Sequence, residues 1–428
     1  MTVGSTLHGF TPSYAEDALS PLAAREHVLA TALRAGTVGA VGLELEGHLV
    51  DLACPGARVP WERIRRVVAD LPGLPGGSIV TVEPGGQIEL SSPPATGVVD
   101  AVVGLRRDVG VLRTALLAAG LGLAHIGADP ARPPVRVNPG ARYAAMERHF
   151  VGRGQRAAGA AMMCGTASLQ VNLEAGPTAG WSARVALAHQ LGPVLVAVSA
   201  CSPMLAGRRT GWRSSRQRVW AELDAARTGP LLGGDEPAEE WAAYALTAPV
   251  LLVRGAGAGG ADAGGVQAVE QAVPFGAWAA GDVPLGGRAP TVADLDYHLT
   301  TLFPPVRLRG FLEVRYLDAV PARWWPALAA IVATLLDDPV ASEVARAATE
   351  RVSSRWSVAA RAGLADPALH AAAVACLDVA ARRAPAVLAP DVEAYADLVA
   401  AGRSPGDAVQ ERARRGGALA ALVEEAAW

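Results

Sequence analysis

The 428-residue chain has no lysine; all 38 of its Lys/Arg positions are arginine. That absence excludes a P-loop lysine, a Schiff-base lysine and a lysine general base. Any phosphate chemistry has to rest on arginine, metal and backbone N–H groups. Cysteine is also scarce. Cys54, Cys164, Cys201 and Cys376 stand far apart with no C-x-x-C, which suits neither a disulfide scaffold nor a structural zinc site. Net charge is only -3, which gives no case for a nucleic-acid or acidic-membrane partner. The opening MTVGSTLHGF has neither a basic n-region nor an apolar h-region, so a cytoplasmic protein is expected. The longest strongly apolar run, residues 324–336, contains Pro326 and is too short to span ~30 Å of hydrocarbon.

What is present is a large apolar fraction, 51%, against 18% charged residues, enough to bury a sizeable core. Residues 15–36 read as an opening helix ended by Gly36. Residues 43–52 alternate as a strand, 60–71 read as a helix, and 78–91 hold two short strands around Pro84, Gly85 and Gly86. A helix is expected over 96–121, a strand over 123–126, a helix over 139–151 and a strand over 167–173. Residues 181–205 read as one long apolar helix carrying Pro193. Strands are expected at 249–254 and 311–316, and the Gly/Ala-rich 254–265 reads as a mobile loop. From Pro326 onward the pattern is helical, broken near Pro367, Pro385, Pro390 and Pro405. The expected class is α+β in a single catalytic domain, with a sheet-containing core over 1–325 and a helical region over 326–428 packed on it.

Four strand segments share one feature. Glu44 and Glu46, Gln87 and Glu89, Ser168, Gln170 and Asn172, and Glu313 and Arg315 are each spaced by two. Each set therefore lies on one face of its strand, while Leu43, Leu45, Ile88, Leu169, Val171, Leu312 and Val314 make the other face apolar. A half-buried sheet with a solvated polar face is the plain reading of any one strand. Glu is a poor strand former, however, and four such strands together would repel one another without cations. Clustered hard oxygens are what Mg²⁺ takes, with substrate phosphates completing its shell. Carboxylates, two or more Mg²⁺ ions and arginine together suit phosphoryl transfer from ATP to a carboxylate.

Gly42-x-Glu44-x-Glu46, Glu83-Pro-Gly-Gly-Gln87-x-Glu89 and Glu313-x-Arg315 resemble the glutamine-synthetase-type carboxylate–amine ligases. Within them the chain is similar to the glutamate–cysteine ligases of the plant and proteobacterial type. EPGGQIELS, RYAAM, MMCGTASLQVNLE, SPMLAGRRTGWRSSRQRVWAELDAARTGP and HLTTLFPPVRLRGFLEVRYLD carry the resemblance, which runs from about Val38 to about Pro339. The overall style looks most like the actinobacterial ligases that open ergothioneine synthesis. A basic, Tyr-containing segment of the plant enzymes is replaced by Arg254-Gly-Ala-Gly-Ala-Gly-Gly, and their regulatory cysteine pairs have no assured counterpart.

The resemblance implies a curved antiparallel half-barrel with metals on its concave side, flanked by helices. It places Glu44, Glu46, Glu83, Glu89 and Glu313 at metal-ligand positions. Arg315 is implied at the transferring phosphoryl group, so that Arg315, Glu313 and Glu44 form the catalytic set. Arg142, Tyr143, Arg216 and Trp220 are implied at the amino-acid substrate, and Gln170, Asn172, Arg227 and Arg309 at ATP. Without the resemblance, the arginines at 208, 209, 213, 216 and 218 could mark an RNA patch or a solvated helix face. Residues 255–260 satisfy G-x-G-x-x-G, but no helix-opening pattern follows, which argues against a dinucleotide fold and for a surface loop or lid. His125, His149, His189 and His298 lack metal-pair spacing and read as structural or surface residues, and Cys164, with no visible base, reads as a packed thiol.

The expected activity is ATP- and Mg²⁺-dependent joining of the L-glutamate γ-carboxylate to the L-cysteine amine through a γ-glutamyl phosphate. Its expected partners are ATP and the two amino acids, with no nucleic acid or membrane; the sequence leaves the oligomeric state open, a monomer being favoured. The alternatives are a ligase of the same fold with another amine acceptor, or a non-catalytic relative that binds nucleotide or amino acid.

Overall fold

The computed structural model describes residues 18–231, 234–255 and 265–427. Residues 256–264, which hold most of the Gly/Ala-rich segment and its G-x-G-x-x-G, lie outside the described residues. Seven strands form one antiparallel sheet: β1 (Val41–Asp51), β2 (Ile79–Val82), β3 (Ile88–Ser91), β4 (Leu121–Ala124), β5 (Ser168–Glu174), β6 (Val306–Leu308) and β7 (Phe311–Asp318). Their order is β6-β7-β5-β1-β3-β2, with β4 pairing the far half of β1. The long β1 is shared: residues 41–45 pair with β5, 44–47 with β3 and 48–51 with β4.

The period-two pattern decides the two faces. Leu43, Leu45, Ile88, Leu90, Leu169, Val171, Leu312 and Val314 are all buried. The helices Val98–Ala118, Gly192–Ser199 and Trp325–Asp337 pack on the sheet strands, and Pro405–Ala426 rests on β4 and β1. Trp325–Asp337 is buried over nearly its whole length, as an all-apolar helix requires. Beyond it, Pro339, Pro367 and Pro405 each occupy a helix's first turn, where the missing N–H breaks no hydrogen bond. No single helix among the described residues is long and apolar enough to cross a membrane.

Three stretches depart from expectation. Residues 181–205 are not one helix: Trp181–Gln190 and Gly192–Ser199 are separate, and a short hairpin pairs 204–205 with 208–209. Pro193, which has no N–H to continue the ladder, falls in the first turn of the second helix, and a Cβ on the preceding Gly192 would overlap the Trp356 indole. Arg156–Gly165, left unassigned from the sequence, forms a helix. Gly159 serves contact there, since a side chain would strike the Phe150 ring. The first helix is also shorter than expected. It runs Pro21–Ala32, with the Ser20 hydroxyl accepting from Ala23 N at 3.2 Å, and Gly36 lies beyond it.

Candidate active site

The polar face of the sheet floors a cavity of about 350 Å³. Glu44 and Glu46 from β1, Glu89 and Ser91 from β3, Gln170 from β5 and Arg315 from β7 all line it. Glu83 enters from the β2–β3 hairpin. There Gly86 N donates to Glu83 O and Glu83 N to Gln87 O, while Gly86 takes φ +83°. That is a tight turn with Pro84 at its second position and a left-handed residue closing it. Pro84 therefore ends no strand that Glu83 needs. Gly85 lies so close to helix Arg156–Gly165 that a Cβ would come within 2.5 Å of Cys164 O. Gln87, expected on the polar face, lines the cavity and also donates to Thr166 O at 2.8 Å, which ties the same helix end to the hairpin.

Two helices form the opposite wall. Arg142 and Tyr143 come from Ala141–Gly152, and Arg216 and Trp220 from Ser215–Ala221. Eleven of the residues expected at the site thus meet in one cavity: Glu44, Glu46, Glu83, Glu89, Arg142, Tyr143, Gln170, Arg216, Trp220, Arg309 and Arg315.

The carboxylates crowd one another. Glu46 and Glu89 are direct cross-strand partners, an arrangement of like charges that weakens a sheet. Glu46 accepts from Ser168 N and Ser168 Oγ, both at 2.8 Å. Glu89 accepts from Thr81 Oγ1 and Ser91 Oγ, and Glu44 from Asn172 Nδ2 at 3.0 Å. Burial raises the pKa of all four of Glu44, Glu46, Glu83 and Glu89. Neighbouring negative charge adds to the rise for Glu44, Glu83 and Glu89, and Glu83 stands well above the usual carboxylate range. Among the described residues, no three His, Cys, Asp or Glu side chains already stand as a metal cage. The donor chemistry nonetheless suits a hard cation: oxygen ligands only, with charge repulsion that a cation would relieve.

Glu313 behaves differently. It lies below the cavity floor, fully buried, and accepts from Arg307 Nε at 2.5 Å and Arg307 Nη2 at 3.0 Å. Arg315 Nη1 adds a bond at 2.9 Å. Burial alone would raise its pKa, but Arg307 and Arg315 outweigh burial and hold it at about 2. Its oxygens are committed to arginine. Arg315, two residues on from Glu313, lies on the polar face, where Nη1 also donates to Gln170 Oε1 at 2.5 Å, and β7 slips against β5 between Val314 and Leu317. Arg307, two residues before Arg309 in VRLRG, had the same alternation signal and was not foreseen as a site residue.

A second cavity of about 780 Å³ opens at the other end of β1 and β5. Residues 34–40, Ser92, Thr96, Asn172 and Glu174 help line it. Glu44 and Arg309 line both cavities and so form their common wall. Asn172 thus belongs to the second cavity. Arg227 reaches neither: it is buried, and its guanidinium donates to Thr301 O at 3.0 Å and Pro249 O at 2.5 Å.

The profile of glutamate-cysteine ligase family 2 (GCS2) matches residues 40–425. The chain belongs to this family. It is 53% identical over 403 residues to the glutamate–cysteine ligase EgtA of Mycolicibacterium smegmatis, covering 94% of this chain and 93% of that protein. It is similar at 30% identity to the chloroplastic glutamate–cysteine ligase of Brassica juncea, over 67% of this chain and 55% of that one. Among solved structures, a glutamate–cysteine ligase from Francisella tularensis in complex with AMP matches with a TM-score of 0.52 at 12% identity. That match covers 92% of this chain and 88% of the other, a likeness of fold. The expected sheet class and family both stand, and the members of the family at 53% identity span nearly the whole chain.

Proposed function

We propose that this chain is an ATP-dependent glutamate–cysteine ligase. The observation that carries the reading is the common wall. An acidic, arginine-bearing cavity meets a second, larger one at Glu44 and Arg309, so two reactants can approach one point from opposite ends of the sheet. The amino acids occupy the smaller cavity and the nucleotide the larger. A γ-carboxylate oxygen of glutamate attacks the γ-phosphorus of ATP, and ADP leaves. The cysteine amine then attacks the γ-carbonyl carbon of the acyl phosphate, loses a proton, and phosphate departs.

The protein acts chiefly by orientation and by charge. Arg309 and Arg315 face the charge that is redistributed on the phosphoryl group. Glu313 holds Arg307 and Arg315 in place. Glu44, Glu46, Glu83 and Glu89 are the residues that would hold Mg²⁺, which when bound offsets phosphate charge. The apolar corner of Met146, Met162 and Phe303 helps keep water from the acyl phosphate. We place the reaction in the cytoplasm and its thiol product in ergothioneine synthesis.

The test is ADP release with ATP, Mg²⁺ and glutamate, run with L-cysteine, L-serine, L-2-aminobutyrate or L-alanine as acceptor. Cysteine should give the highest kcat/KM and a γ-glutamylcysteine product by mass. A better acceptor would replace the cysteine assignment, and no ADP with any of them would make the chain a binding relative.

A further inference from the structure

Three of the four crowded carboxylates are tied in place through their own oxygens: Glu44 by Asn172, Glu46 by Ser168, and Glu89 by Thr81 and Ser91. Glu83 differs. Among the described residues no donor bonds its carboxylate, and only burial and charge act on it. Burial, Glu89 and Glu46 push its pKa up, and Arg142 works against them. The place of the Glu83 carboxylate is therefore set by its backbone.

That backbone is held from outside the cavity, by the segment that leads into helix Ala141–Gly152. Val137 N and Asn138 N both donate to Pro84 O, at 2.7 and 2.9 Å. The Asn138 side chain, itself buried and in neither cavity lining, spans the joint. Its Nδ2 donates to Val82 O at 2.8 Å, and its Oδ1 accepts from Gly140 N at 3.0 Å. β2 is the outer strand of the sheet, so beyond β3 its backbone groups have no further strand to pair with. The second bond is an Asx-turn, which a side chain of this length makes two residues on. One amide thus grips the residue before Glu83 and, at its other end, the N-cap of the helix that carries Arg142 and Tyr143. Arg136 braces the same joint, with Nη1 donating to Asn138 O and Nε to Glu147 Oε2, both at 2.9 Å.

Both bonds need a donor and an acceptor on one short stem, which asparagine supplies. Serine keeps an acceptor for Gly140 N but cannot reach Val82 O, and alanine makes neither bond. The backbone bonds to Pro84 O survive either change, so the hairpin stays docked while its last fixed point before Glu83 is lost.

We propose that Asn138 is a positioning residue for Mg²⁺ binding: its amide sets where Glu83 stands relative to Arg142 and Tyr143 across the acidic cavity. The proposal rests on the reading of Glu83 as a residue that would hold Mg²⁺, and it assigns the control of that residue to a side chain outside the cavity.

The test is a double-mutant cycle on the full chain with Asn138→Ala, Glu83→Gln and the double variant. Mg²⁺ is titrated into each and its binding read by calorimetry, well below every melting midpoint. Asn138→Ala should weaken Mg²⁺ about tenfold. In the Glu83→Gln background it should add almost nothing, because Asn138 acts through Glu83. An unchanged Mg²⁺ affinity in Asn138→Ala, or additive effects in the cycle, would overturn the proposal. If Asn138→Ala does not fold, Asn138→Ser, which gives up only the bond to Val82 O, should show the same loss. Should the wild type bind no Mg²⁺, the metal reading of Glu83 fails by itself. Hydrogen exchange on the ligand-free variants then decides the clamp. Residues 82–87 and 140–146 should lose protection together in Asn138→Ala or Asn138→Ser, and the clamp falls if either segment exchanges as in wild type.

Discussion

At the scale of single residues, the glutamates of the site are of two kinds. Glu46 and Glu89 face each other across the strands, whereas Glu313 is wrapped by arginine. The two kinds respond oppositely to neutralisation. Glu89→Gln should abolish ligation yet stabilise the ligand-free protein by about 0.5 kcal/mol, because it removes a cross-strand repulsion. A melting temperature that falls, with activity intact, would contradict both halves. Glu313→Gln should abolish ligation and also destabilise by about 3 kcal/mol, because Arg307 and Arg315 lose a buried partner. If Glu313→Gln melts like wild type, its place is at a metal rather than beneath the floor. The sequence could show that Glu313 and Arg315 share a face. It could not show that Arg307 would claim Glu313, because that pairing depends on the β6–β7 register, Arg307 opposite Glu313.

At the scale of elements, the strand faces were legible because the period of two survives in β1, β3, β5 and β7. Helix boundaries were legible where proline opens a first turn. What was hidden were glycines that serve contact rather than termination, such as Gly159 under Phe150 and Gly192 under Trp356. Nothing in a glycine's local sequence tells the two uses apart. Arg227 was misplaced for a related reason: its motif neighbours Arg216 and Trp220 do reach the cavity, but a turn of chain carries Arg227 into the interior. The hairpin at Gly85 gives an element-scale test. Gly85→Ala would force a methyl against the Cys164 backbone, and overpacking of this kind costs about 1–3 kcal/mol. Relief requires the turn to move, and Glu83 moves with it. The variant should therefore lose far more in kcat than its melting temperature explains, assayed well below its midpoint. Activity that merely tracks the folded fraction would show that Glu83 does not need its present placement.

At the scale of the whole molecule, two sets of buried groups pull stability in opposite directions with pH. Burial lowers His48 and His298 to about 3, and His125 and His149 to about 4. Their unfolded forms take up protons near pH 6.5, so between there and their folded values the unfolded chain binds more protons. Their contribution is complete above about pH 6.5 and drains away as pH falls, at about 1.4 kcal/mol per pH unit for each ring. Glu44, Glu46, Glu83 and Glu89 have raised values, so above the ordinary carboxylate range it is the folded chain that binds more protons. Their ionisation weakens the fold as pH rises, and acid relieves it. Above the ordinary carboxylate range and below about pH 6.5 the two sets oppose each other, and the ligand-free protein should show a shallower dependence there than the histidines alone would give. Removing part of the carboxylate set should uncover the histidines. The double variant Glu83→Gln/Glu89→Gln should be the more stable of the two at pH 7.5. It should then lose melting temperature more steeply than wild type between pH 7 and 5. Unfolding followed by circular dichroism across that range checks it. Parallel curves for the two proteins would mean that these carboxylates are not proton-linked to folding, and that the cavity is already neutralised by something other than a bound cation.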